Sequence, residues 1–164
     1  MTMIVLDAGA ERFNYRVAGV AIHDGHVLLH RMPGVGFWAL PGGRCEMGES
    51  SIDALRRELR EELLVDIEIG QLLWVVENFF ALNSRRFHEL SLYFQVTLPP
   101  DCDWLDTNRT YDTVDTAENR IPLVFRWFPL AAIATTNLQP SFLRAALRDL
   151  PHVTQHIVHI DADA

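Results

Sequence analysis

Three glutamates, Glu58, Glu61 and Glu62, recur at i, i+3 and i+4 in a run from Ser50 to Leu64 that contains no Gly or Pro. In a helix this spacing puts the three carboxylates on one face. Local physics opposes the arrangement. Glu58 and Glu62 repel each other, and Glu61 and Glu62 lie near the carboxyl end, where the helix dipole disfavours negative charge by about 0.3 kcal/mol or more. A divalent cation reverses the sign, because Mg²⁺ and Mn²⁺ take carboxylate oxygens and complete their shells with water and phosphate oxygens. The plainer alternative is a solvated acidic face helped by Arg56, Arg57 and Arg60, with Arg57 able to pair with Glu61 one turn on. The upstream pair Gly42-Gly43 favours the cation, since glycines let backbone amides approach an anion that a metal also contacts.

The elements that must carry these groups can be read in order. Arg16 to Ile22 and His26 to Arg31, joined through Asp24-Gly25, predict two paired strands. Met32 to Gly48, with two prolines and five glycines, predicts a loop. Ser50 is the expected N-cap of the helix that follows, and Ile52, Leu55, Leu59 and Leu63 form its apolar stripe. Val65 to Ile69, Gln71 to Phe80, Leu90 to Leu98 and Val124 to Phe128 predict further strands. Between the last two, Asp101 to Arg120 is a long acidic segment without periodicity, which suggests a functional or mobile loop. A second helix is expected over Ser141 to Leu150, and the tail His152 to Ile160 could add an edge strand.

Composition narrows the function. The 164 residues suit one domain with one sizeable core, and 22 acidic against 14 basic residues argue against a nucleic-acid polymer as partner. Cys45 and Cys102 form no C-x-x-C pair, which fits a reducing cytoplasm. The run Met3 to Leu6 is too short and lacks the basic flank of a secretory signal, and no apolar stretch approaches the ~20 residues that span a bilayer. A soluble chain without a membrane partner is expected, and no internal repeat or low-complexity tract is present.

Taken together, Gly43, Glu49, Arg57, Glu58, Leu59, Glu61, Glu62 and Val65 resemble the signature box of the Nudix hydrolases, G-x5-E-x7-R-E-U-x-E-E-x-G-U, where U is a bulky apolar residue. Trp38 to Gly43 (WALPGG) is similar to the approach common in that family. One box position departs: Leu64 stands where the family has glycine. That glycine helps to end the helix in a left-handed conformation, which leucine adopts at a cost. Because Leu63-Leu64-Val65 is a continuous apolar run, we expect the helix to run on or exit by another route, with the Leu64 side chain packed.

The resemblance implies an α/β fold, an α/β/α sandwich with a mixed β-sheet, and a single domain over residues 1–164. It implies hydrolysis of a phosphoanhydride bond in a nucleoside diphosphate linked to another group X, with Mg²⁺ or Mn²⁺ as cofactor. Glu58, Glu61, Glu62 and Gly43 would hold the metal, Glu62 foremost, and Arg57 and Glu49 would form an orienting pair. Arg31, Phe37, Trp38, Gly42 and Gly43 are the expected substrate contacts. The base that accepts the water's proton is either Glu58 or a loop glutamate, for which Glu118 is preferred, with Glu77 and Glu89 as lesser candidates. The implied partner is a small nucleotide-type diphosphate, and a homodimer is left open. The rival readings are a Nudix-like module that binds a nucleotide or protein without turnover, and an isomerase of isoprenoid diphosphates. The first typically loses box glutamates that are kept here; the second needs additional Cys and Glu positions and an altered box.

Other residues have ordinary explanations. Trp74, Phe79 and Phe80, with Phe37 and Trp38, could stack on a base, but aromatics in a mixed domain more often fill the core. His152, His156 and His159 lack the one-face spacing of a transition-metal site, and no cysteine accompanies them. Cys45 has no neighbouring lysine or histidine to activate it.

Overall fold

The computed structural model describes residues 2–116 and 120–161. Its elements, in chain order, are β1 (Val5–Ala8), β2 (Glu11–His23), β3 (His26–Arg31), β4 (Gly42–Arg44), α1 (Ser51–Leu63), β5 (Glu68–Leu82), β6 (Arg85–Thr97), β7 (Thr110–Val114) and β8 (Pro122–Pro129). A 3-10 turn (Leu130–Thr135), α2 (Leu143–Ala146) and β9 (Gln155–Ile160) complete it. The strands form one sheet in the order β7-β8-β3-β2-β6-β5-β9. It is mixed: β2 and β6 run parallel, as do β5 and β9, and the other pairs are antiparallel.

Strand β2 is the hinge of this architecture. One edge pairs with β6 from Glu11 to Ala21, while the other is shared by three short partners: β1 at Glu11 to Asn14, β4 at Arg16 to Ala18 and β3 at Ile22 and His23. Side chains alternate across the sheet, so Val17 and Ala21 face α1 while Ala18 and Val20 face the 3-10 turn and α2. Helix α1 buries Ala54, Leu55, Leu59 and Leu63 on the first face. Ile133, Leu138, Leu143 and Leu147 cover the second. The result is the expected α/β/α sandwich. Gly19 brings α1 close to β2, for a Cβ there would stand 3.0 Å from Leu59 Cδ1 and 3.1 Å from Val96 Cγ2.

Several expectations change in detail. The loop over Met32 to Gly48 contains strand β4, because Gly42 at φ 140° can lie against the β2 backbone where a Cβ would overlap Val17 O. The two strands expected either side of Gly70 are one, β5, whose register shifts between Ile69 and Trp74 absorb the irregularity. Asn83 and Ser84, both at positive φ, turn β5 into β6. Ile52 is exposed, and Ala54 takes its place in the buried stripe. The helix expected over Ser141 to Leu150 is α-helical only in α2, since hydrogen bonds on Ser141, Phe142 and Ala145 close three-residue turns between Pro140 and Pro151. Among the described residues no helix is long and apolar enough to cross a membrane.

Candidate active site

Helix α1 begins where Ser50 accepts the amide of Asp53 at 3.2 Å, as a serine N-cap should. At its other end Leu64 adopts φ 58° and ψ 29°, its amide donates to Arg60 O at 3.0 Å, and its side chain is exposed. This corrects the expectation that the helix runs on with Leu64 packed. The chain keeps the left-handed exit of the family's glycine while carrying a leucine there.

The exit survives because other parts of the chain hold it. The last carbonyls of a helix have no partner within it. Here Thr116 donates to Glu61 O through its hydroxyl at 3.1 Å, Thr113 to Glu62 O at 3.4 Å, and the Trp104 indole to Leu63 O at 2.9 Å. Beyond the turn Arg60 grips Asp66. The acidic segment after Pro100 therefore holds the end of the glutamate-bearing helix.

Arg57 lies at the centre of the site. It donates to both oxygens of Glu49, at 2.7 and 3.2 Å, to Glu58 at 2.9 Å, to Glu61 at 3.2 Å and to Arg44 O at 3.0 Å. A second anchor ties Glu49 to the Glu46 amide at 2.6 Å. The guanidinium fork thus fixes two helix carboxylates to the Gly42–Arg44 strand. Hydrogen bonding to Arg57 pulls the Glu49 carboxyl below its ordinary range, and the same contact raises the arginine.

Glu58 and Glu62 differ from exposed acids. They are 7% and 4% exposed, and burial raises both carboxyls, Glu62 well above the usual range with Glu58 adding to the effect. Glu58 lies directly over Gly43, where any Cβ would overlap its carboxylate. Glu62 Oε1 stands 3.4 Å from His30 Nδ1. Yet neither that nitrogen nor Glu62 Oε2 has a hydrogen-bond partner among the described residues. Burial, with Arg16 adding to it, pulls His30 down to about 3, so the contact sets a neutral ring against the carboxyl. Glu61, more accessible, is also raised chiefly by desolvation.

These groups open into a cleft of about 720 Å³ whose lining includes Glu58, Glu62, Gly42 and Gly43, together with Arg16, Arg31 and Arg44. Of the expected substrate contacts, Arg31 and Phe37 line it as well, whereas Trp38 does not: it packs edge-on against Phe128 with Arg31 stacked on its ring. Phe80 lines the cleft, Phe79 points to the opposite face onto His88, and Trp74 is core. Glu89 lies on the cleft floor, while Glu77 pairs with His156 at 2.8 Å away from it. Glu118 lies outside the described residues. Cys45 is buried and its thiol is pushed up to about 11, consistent with a structural role.

Arg16, His30, Asn78 and Asp115 also line the cleft but do not stand out in the sequence. The signal for three of them is a polar residue interrupting an apolar strand, in RVAGVAI, HVLLHR and WVVENFF. Among the described residues no three His, Cys, Asp or Glu side chains form a group that could hold a metal ion by themselves. The donors nevertheless fit a hard cation. Glu58 and Glu62 are buried and Glu62 Oε2 has no partner among the described residues, and Mg²⁺ commonly uses one or two carboxylates plus water and phosphate.

Comparison with known proteins agrees. The NUDIX domain family model matches residues 14–150. The uncharacterized Nudix hydrolase YvcI of Bacillus subtilis is 51% identical over 78 residues, covering 48% of each chain. The CTP pyrophosphohydrolase of Escherichia coli is 41% identical over 76 residues, 44% of this chain and 55% of that one. Low-salt glycan biosynthesis protein Agl8 of Haloferax volcanii is 36% identical over 97 residues, 54% of this chain and 61% of its own. The chain thus spans about half to three fifths of these curated relatives. Among solved structures, a NUDIX hydrolase from Nitrosomonas europaea superposes with a TM-score of 0.60 at 18% identity, over 90% of this chain and 79% of that one. A UDP-X diphosphatase gives 0.56 at 20% identity, over 88% and 66%. With the family model matched over residues 14–150 and Glu58 and Glu62 of the box lining one cleft, the chain belongs to the Nudix hydrolase family.

Proposed function

We propose that this protein is a metal-dependent pyrophosphohydrolase that cleaves a phosphoanhydride bond in a nucleoside diphosphate linked to another group. The observation that carries this reading is the burial of Glu58 and Glu62 at the wall of an arginine-bearing cleft, with Glu58 set over Gly43 and tied through Arg57 to Glu49 and Glu61. Glu58, Glu61, Glu62 and Gly43 would hold Mg²⁺ or Mn²⁺, which when bound neutralises phosphate charge and acidifies water. Arg16, Arg31 and Arg44 attract and orient the phosphates, the electrostatic contribution that dominates phosphoryl transfer. Arg57 and Glu49 keep the helix carboxylates in place. A carboxylate takes the water's proton; Glu58 and Glu118 are the preferred candidates from the sequence, and Glu89, a lesser one there, gains by its place on the cleft floor. The relative named as a CTP pyrophosphohydrolase supports this class of substrate.

The test is release of monophosphate from nucleoside triphosphates, nucleoside diphosphate sugars and dinucleotides, with Mg²⁺ or Mn²⁺ and with chelator. Turnover that needs the metal and returns with it is expected. Full turnover in chelator, or an inert chain on the whole panel, overturns the proposal.

A further inference from the structure

A polar row crosses the sheet, and two of its members, Asn78 and Glu89, lie on the cleft floor. Sheet register places Asn14 of β2 beside Glu89 of β6, Glu89 beside Asn78 of β5, and Asn78 beside His159 of β9. Paired neighbours share a face, so these side chains form a stripe across four strands. Asn14, Glu89 and Asn78 are all buried, Asn78 to 4% exposure. Such a stripe inside a sandwich is costly unless its groups are paired, and they are only partly paired. Ser91 donates to one oxygen of Glu89 at 3.0 Å. Asn78 Oδ1 has no hydrogen-bond partner among the described residues, and neither has Gln139 Oε1, which lines the same cleft.

Asn78 Oδ1 and Gln139 Oε1 are acceptors, whereas the unpaired Arg31 Nε of the same cleft is a donor. A phosphate brings negative oxygens, which Glu89 and Asp161 would repel and which acceptors cannot satisfy. A ring bearing O–H or N–H groups brings the missing donors. The neighbouring rows mark the limits of the subsite. On one side Arg16, opposite Ser91, donates to Gly42 O at 3.0 Å and so belongs to the phosphate end. On the other side Phe80, opposite Phe87 and stacked on it at 4.7 Å, gives the cleft a flat apolar wall. Asp161 closes this end, its amide held by Phe79 O at 3.0 Å.

We propose that Asn78 and Glu89, with Gln139, Asp161 and the Phe80 wall, form the subsite for the non-phosphate part of the substrate, and that it selects a neutral ring rich in hydrogen-bond donors. The proposal rests on the hydrolase reading and adds the orientation of the substrate: phosphates toward Gly42-Gly43 and Arg16, donor-bearing ring over Asn78 and Glu89. Sugar hydroxyls and the amino edge of a nucleobase share this chemistry.

The experiment titrates the full chain, in Mg²⁺, with inorganic phosphate, ribose 5-phosphate and the four common ribonucleoside monophosphates. At least one organic phosphate is expected to bind about tenfold tighter than inorganic phosphate, the worth of roughly one well-made hydrogen bond to a buried group. Asn78→Leu, close in size, should abolish that advantage, leave the Kd of inorganic phosphate unchanged and keep the melting temperature at or above the wild type's. A residue with a merely structural role would lower it instead. If Asn78→Leu fails to fold, Gln139→Leu carries the same comparison. Monophosphates that differ among themselves, with ribose 5-phosphate no better than phosphate, assign the donors to the base. Equal binding by all five organic phosphates assigns them to the sugar; both results support the subsite. No advantage over inorganic phosphate, or an advantage that both variants retain, overturns it. Metal-dependent turnover with unchanged binding in the variants refutes this inference alone, and Asn78-dependent binding by a chain inert on the hydrolysis panel refutes the hydrolase reading alone.

Discussion

Leu64 offers a sharp test because its backbone and its side chain make opposite demands. Its φ of 58° and ψ of 29° lie in the left-handed region, where a Cβ costs about 1–2 kcal/mol. Its side chain is 68% exposed, so it recovers only about a third of the roughly 1.5–3 kcal/mol that full burial of a leucine contributes. Leu64→Ala loses that contact, about 0.5–1 kcal/mol, and keeps the backbone strain. Leu64→Gly loses the same contact but removes the strain, offset by about 0.4–1 kcal/mol of extra unfolded-state entropy. Glycine should therefore be more stable than alanine at this position by about 1 kcal/mol, and close to wild type. In a chain of this size that difference is a melting shift of about 2–4 °C. Urea unfolding of the three proteins at one pH, with equal m-values, measures it. An alanine variant as stable as the glycine variant would show that the left-handed exit imposes no strain, and the reasoning about this helix end would fail.

Three further outcomes follow from the site. In chelator, Glu62→Gln should stabilise the protein at pH 7. Its carboxyl is raised in the folded state, so the wild type's contribution is present below the unfolded value of about 4.3 and is lost as pH rises through the folded one. Urea midpoints from pH 4.5 to 8 should diverge upward in favour of the variant while its metal-supported turnover falls by orders of magnitude; parallel midpoints would refute the assignment. Gly43→Ala should destabilise by about 1–3 kcal/mol, as overpacking does, and cut turnover, because its Cβ displaces the Glu58 carboxylate; thermal melts and rates equal to wild type would refute this. Arg57→Lys should lower stability by about 1–3 kcal/mol together with turnover, since one ammonium cannot reach Glu49, Glu58, Glu61 and Arg44 O at once; a lysine variant with wild-type melting and rate would disprove the clamp.

What could be read from the sequence depended on how local its cause was. The α1 N-cap at Ser50, the Leu55-Leu59-Leu63 stripe and the hairpin at Asp24-Gly25 are set by residues a few positions apart, and they stand as expected. So does the meeting of Arg57 with Glu61 one turn on, whereas its meeting with Glu49 was legible only through the family resemblance. The parallel pairing of β2 with β6 and of β5 with β9 joins segments about 70–80 residues apart, which no short pattern specifies. The polar row across the sheet depends on those pairings. Asn78 read alone is an amide in an aromatic strand, and only its register against Glu89 makes it a floor residue. Leu64 failed for a different reason: an apolar run suggested packing, while the three caps that hold the exit come from Trp104, Thr113 and Thr116, roughly 40–55 residues downstream.

The positions where this chain breaks local rules converge. Acidic residues crowd the negative end of α1, a leucine sits in a left-handed turn, two carboxylates are buried, and an amide oxygen lies unpaired on a sheet floor. Each costs stability on its own, and a sequence selected for stability alone would remove them one at a time. All lie at one cleft or on the helix that walls it. Helix-dipole repulsion and carboxylate burial are both relieved by one positive ion, and the unpaired acceptor by a donor-bearing ring; the Leu64 turn only sets where the helix stops. Binding of metal and substrate should therefore stabilise this fold more than a preformed, already satisfied site would, because it removes penalties as well as adding contacts.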